Sequence, residues 1–174
     1  MKSLLWRLIW KLRRHAGMAA LSAVVLAACA AGPDPVHWGV EECARCRMVI
    51  SDERFAGQVV DRRGNTYAFD AIECMAAFLN DGTVADADVH SVWIADGRDG
   101  WVAAGDATFI HSPNIRSPMG GGLVAHADAG TARRLQEEVG GDVLTWQDVL
   151  ARLAESGHSH AGHPHAGETG AGGH

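Results

Sequence analysis

The stretch QVVDRRGNTYAFDAIECMAAFLN, residues 58–80, changes its hydrophobic period once, and that change sets the fold class. Residues 58–61 and 66–69 are rich in β-branched and aromatic side chains and flank Arg62-Arg63-Gly64-Asn65, which has the composition of a hairpin turn. Two antiparallel strands are expected. From residue 71 the apolar positions fall instead at Ile72, Met75, Ala76 and Leu79, the spacing of one helix face. Asp70 is placed to cap that helix, with Glu73 completing a capping box, and Gly82 to close it.

Working downstream, residues 89–95 (VHSVWIA) alternate as a strand with two rather apolar faces, which suits the interior of a sheet. The order is then ββαβ. The second half repeats it: strands over 107–111 and 121–126, a helix capped by Asp128 and ended by Gly140-Gly141, and a short strand at 142–144. A terminal helix over 146–153 follows, with Thr145 as its cap. The expected class is α+β, two small ββαβ units packed together because either alone is small for a core. The units are residues 41–97 and 98–154. Trp93, Trp101 and Trp146 are expected to build the core.

Working upstream, Lys2, Arg7, Lys11, Arg13 and Arg14 form a basic leader before a short apolar run, and Leu26-Ala27-Ala28-Cys29 matches the lipobox of bacterial lipoprotein signals. Residues 1–28 are read as a signal peptide and Cys29 as the lipidated first mature residue. That implies an anchor in, rather than a passage through, a membrane on its periplasmic face. Residues 29–40 contain Gly32, Pro33 and Pro35 and read as a tether. Residues 155–174 (ESGHSHAGHPHAGETGAGGH) cannot form a core and read as a disordered tail, whose His158, His160, His163 and His165 make a secondary metal-binding candidate. After the signal, ten basic residues face 21 acidic ones, a formal −11 with neutral histidines. Such a surface argues against nucleic acid as a partner.

The chemistry concentrates in Cys43-Ala44-Arg45-Cys46-Arg47-Met48, a C-x-x-C-x-M run. Thiolate and thioether are soft donors that select Cu(I) over hard cations. Cys46 and Met48, two apart, project to one side of an extended chain. Cys43 is an alternative thiolate or a disulfide partner for Cys46. Met119, between Pro118 and the run Gly120-Gly121-Gly122, has few apolar neighbours in sequence and is the candidate distant ligand. Met75 and Cys74 read as core residues, and His90, His111 and His126 as structural. With Cys29 lipidated, three cysteines remain, an odd number that leaves at least one sulfur free for a metal. A thiol–disulfide module using Cys43 and Cys46, or a zinc-binding lipoprotein, stays open as an alternative. No G-x-S-x-G elbow, phosphate-cradling loop or H-E-x-x-H is present, so no enzyme is expected.

With these residues in view, the chain resembles the NosL family, lipoprotein copper chaperones that serve maturation of nitrous oxide reductase. The resemblance rests on the lipobox at Cys29, C-x-x-C-x-M at 43–48, F-D-x-I-x-C-M at 69–75 and P-M-G at 118–120. It implies one Cu(I) per chain, held by Cys46 and Met48 with Met119 joining from the second unit. The ion would come from an unidentified donor and go to the copper–sulfide cluster of nitrous oxide reductase. Binding should be lost on Cys46→Ser and weakened by Met48→Ala or Met119→Ala.

Overall fold

A computed structural model describes residues 32–98 and 100–160, with side chains to residue 156. The fold is mixed α/β, with two small antiparallel sheets and three helices. Strands β1 (Gly57–Asp61) and β2 (Thr66–Phe69) form the expected hairpin, and Gly64 takes the positive φ of 86° that the turn needs. Helix α1 (Ile72–Asn80) follows, then β3 (Val89–Ala95) and β4 (Trp101–Ala103). These strands make one sheet in the order β2-β1-β3-β4. β3 is therefore interior, as its two apolar faces suggested.

The second sheet, in the order β6-β5-β7, is built from β5 (Thr108–His111), β6 (Leu123–His126) and β7 (Asp142–Leu144). Helix α2 (Ala129–Val139) connects β6 to β7, and Asp128 caps it by accepting the Thr131 N–H at 2.7 Å. Helix α3 (Trp146–His160) begins in a reciprocal cap: the Thr145 N–H donates to Asp148 and the Asp148 N–H to Thr145 Oγ1.

The larger of two hydrophobic clusters runs beneath both sheets. Phe69, Ile72, Met75 and Ile94 share it with Phe109, Leu123, Trp146 and Val149. Phe69 and Phe78 lie 5.0 Å apart between ring centres, and Phe109 stacks on Trp146 at 5.6 Å. Burying an aromatic of this size removes some 150–250 Å² from water, so these pairs bind the sheets to α1 and α3. Gly57 opens β1 because a Cβ there would strike Met75 Sδ at 2.6 Å. Trp101 packs on the core from a half-buried position, whereas Trp93 stands outside it with its indole N–H on Ser91.

Three sequence expectations need correction. Asp70 does not cap α1. Ala71 holds that position with no side-chain hydrogen bond, and both carboxylates of the supposed box turn to tertiary surroundings. The tether is not free from residue 34 on: the buried Gln58 side chain needs partners and takes the Asp34 N–H and carbonyl at 2.9 and 2.7 Å. Val36 and Trp38 then pack on the core. Finally, α3 runs to His160, so residues 155–160 of the supposed tail are helical. His158 and His160 fall in that helix. His163 and His165, like Cys29 and the signal, lie outside the described residues. Among the described residues no helix is long and apolar enough to cross a membrane.

Candidate metal centre

The C-x-x-C-x-M run is not extended. Glu42 and Val49 form an antiparallel bridge, and within it the Cys43 N–H donates to the Met48 carbonyl at 2.8 Å while the Arg47 N–H returns to the Cys43 carbonyl at 3.0 Å. Closing so tight a loop requires left-handed backbone at Arg47, φ 64°, the one such non-glycine among the described residues. The expectation that Cys46 and Met48 share a side by simple alternation therefore fails, because the chain turns between them. The loop is moored to the fold at two points. The Ala44 N–H donates to the Ala68 carbonyl at the end of β2, and Arg45 pairs with Asp81 just past α1 at 2.9 Å.

This mooring sets the run against the first turn of α1, which carries Cys74. The Sγ atoms of Cys43, Cys46 and Cys74 all lie within 4.8 Å of one another, close enough for one ion to touch all three. All three cysteines are free. Cys43 is fully buried, Cys74 nearly so, and Cys46 is half-buried. Cys74 is the member that sequence reasoning assigned to the core. It is a core residue and a cluster member at once, and the only local signal was its place beside the sulfur-bearing Met75.

The electrostatics are uneven. Cys43 holds its charge far more readily than an ordinary thiol, chiefly because Cys74 hydrogen-bonds to it and also because the N–H groups of Cys46, Asp70 and Arg45 point at its sulfur. Cys74 is pushed the opposite way, by that same hydrogen bond, by burial and by the Cys43 charge. Cys43 thus favours the charged form while Cys74 keeps its proton and donates it to that sulfur, an arrangement in which a cation would take the proton's place. Asp70, buried directly before α1, has its carboxyl raised by burial and by the negative Cys43 and Asp52, against the Ser51 N–H that lowers it.

The thioethers lie at the surface, Met48 50% and Met119 43% exposed. Met119 sits in a turn closed by the Gly120 N–H on the Ser117 carbonyl. That turn is hung on α1: Ser117 Oγ donates to Glu73 Oε1 at 2.6 Å, in a buried contact one residue before Cys74. Gly121 allows the approach, since a Cβ there would run into the Glu73 side chain. The loop bearing Met119 is therefore fastened to α1, the helix that carries Cys74. Two of the strand histidines are engaged elsewhere: buried His126 contacts Asp96 at 2.9 Å, His111 contacts Arg152, and neither joins the cysteines.

The model of the NosL family matches residues 38–154. This chain belongs to the NosL family. The match spans the sulfur run, α1 and the Met119 loop together. The crystal structure of the copper chaperone NosL from Shewanella denitrificans superposes with a TM-score of 0.58 at 17% identity, covering 66% of this chain and 93% of that one. The fold of this NosL chain is therefore that of a solved family structure. Among curated proteins, none matches it in sequence.

Proposed function

We propose that this NosL protein is a membrane-anchored, extracytoplasmic Cu(I) chaperone that delivers copper for the copper–sulfide cluster of nitrous oxide reductase. The observation that carries the copper reading is the convergence of three cysteine sulfurs within 4.8 Å of one another, with the turn of the exposed Met119 fastened to the helix that carries one of them. Soft sulfur donors favour Cu(I). A structural zinc site would want a fourth ligand in tetrahedral array, and the cysteine cluster is joined by no histidine or carboxylate among the described residues. Family membership and the copper chaperone in Shewanella support the same direction.

The proposed ligands are Cys46, Met48 and Met119, with Cys43 as a further thiolate. Cys29 is the proposed lipid attachment that keeps the protein at the periplasmic face of its membrane, and the histidines of residues 158–165 are a secondary metal site. The role calls for no catalysis. A chaperone holds an ion and yields it by ligand exchange, in which an acceptor ligand arrives before a donor ligand leaves. The test is Cu(I) titration of the mature protein against a chromophoric chelator. One ion should bind per chain. Cys46→Ser should lower affinity by about a hundredfold or more, the upper end of what even an outer-shell change costs a metal site. Unchanged affinity in Cys46→Ser would remove the reading.

A further inference from the structure

The five sulfurs lie at graded depth, and Cys46 stands at the middle of the gradient. Cys43 and Cys74 are 0% and 2% exposed, Cys46 is half-buried, and Met48 and Met119 are at the surface. An ion among the three cysteine sulfurs needs no methionine to complete its contacts, because the three sulfurs already surround one point. An ion on the methionines needs Cys46, the one cysteine whose side chain is open to both levels.

Resting on the copper-chaperone reading, we propose that the protein has two cuprous positions that share Cys46. The inner, resting position is Cys43, Cys46 and Cys74. The outer, transfer position is Cys46, Met48 and Met119.

The chemistry separates the two. Three anionic sulfurs in a buried site bind a monovalent cation more strongly than one anionic and two neutral sulfurs at the surface. The resting ion is therefore the deep one. It is also shielded, since an acceptor ligand approaching from solvent meets half-buried Cys46 before Cys43 or Cys74. Transfer outward exchanges one Cu–S bond for another at each step. Cys74 leaves as Met48 joins, and Cys43 leaves as Met119 joins, while Cys46 stays bound throughout. The copper remains Cu(I) and no electron moves. On loading, thiol protons pass to solvent, and on outward transfer a departing cysteine takes a proton back from solvent.

The backbone serves this division. The loop of residues 43–48 is closed on itself by the Cys43–Met48 hydrogen bond, which keeps Cys46 and Met48 on one small rigid turn. The Met119 turn hangs from Glu73, the neighbour of Cys74. The loop of Cys43, Cys46 and Met48 and the turn of Met119 are thus each tied to α1, while the Met48 and Met119 thioethers are exposed.

The test uses the mature protein in a Met75→Leu background, an interior swap that cores tolerate, with selenomethionine at the remaining methionines. Selenium-edge X-ray absorption is recorded after loading with one equivalent of Cu(I). The resting protein should show no copper in the selenium shell. In Cys74→Ala a copper–selenium path should appear as the ion moves outward, and affinity should fall by about tenfold to a hundredfold. Replacing both Met48 and Met119 by Ala should slow release to bathocuproine disulfonate by more than about tenfold, and unchanged release would overturn the outer position. A copper–selenium path in the resting protein overturns the inner position, and that measurement stands even if Cys74→Ala fails to fold. Unchanged affinity in a folded Cys74→Ala overturns it too. In both cases the chaperone reading survives as long as Cys46→Ser lowers affinity by about a hundredfold or more, and it falls if that variant binds normally.

Discussion

Helices α1 and α2 each follow a pair of antiparallel strands, and they differ in what covers them. α1 buries Ile72, Glu73, Cys74, Met75, Ala76 and Phe78, and α2 buries only Ala132. The sequences say why. IECMAAFLN offers apolar side chains all round, so the helix is stable only inside, whereas AGTARRLQEEV carries charge on most of its circumference. The lesson concerns chemistry as much as packing. A thiol on a surface helix meets water, but a thiol on α1 is delivered to the core, where the moored loop brings Cys43 and Cys46 to meet it. The three-thiol cluster sits where it does because one helix runs through the protein and the other lies on it.

The contrast can be broken most directly through stability. Met75→Ala in α1 should cost about 2–5 kcal/mol, the range for emptying a well-packed core position. Leu135→Ala on the half-buried face of α2 should cost markedly less. Urea unfolding of both variants measures this, and equal losses would erase the distinction between the helices.

A smaller effect is expected where the two parts of the molecule are stitched together. Ser117→Ala removes a buried hydrogen bond to the Glu73 carboxylate and should cost about 1.5–3 kcal/mol. The Met119 methyl resonance should shift as its turn comes loose from α1. Asn114→Ala in the same loop, losing an exposed bond to the Val139 carbonyl, should cost less and leave Met119 undisturbed. If the Met119 signal ignores Ser117, the loop is held by something other than Glu73.

The smallest effect is one of acid. Asp128 holds its carboxyl below the usual range because Thr131 donates to it, and Asp148 does so through Thr145. A carboxyl depressed in the folded state contributes its full stability above the unfolded value of about 3.9 and loses it as pH falls through the folded value. The first turns of α2 and α3 should therefore fray below about pH 4, while α1, which has no side-chain cap to lose, should not. Amide hydrogen exchange at pH 6 and pH 3 would show it, and early fraying of α1 would contradict the assignment of the caps.

Much of this was readable locally. The β1–β2 turn, the apolar period of α1, the Asp128 cap and the closing Gly140 all depend on residues a few positions apart, and each lies where its signal stood. The misreadings share one form. Asp70 and Glu73 have the spacing of a capping box, yet Glu73 is claimed by Ser117, 44 residues away in the chain. Residues 34–38 look like linker, yet the buried Gln58 amide requires the Asp34 backbone. Cys74 looks like core and is core, but its neighbours in space decide that it is more. In each case a local preference worth about 1 kcal/mol yielded to a buried polar group or a packed side chain, whose unmet demand costs more.

The run of sulfurs, the ββα order around residues 58–80 and the acidic balance were determined by the chain alone, because donor softness, hydrophobic period and charge are properties of residues and their spacing. Which sulfurs meet was decided only by the tertiary structure. Three cysteines reach one point because an arginine in left-handed backbone turns the loop, a salt bridge to Asp81 holds it down, and a buried helix brings the third thiol from below.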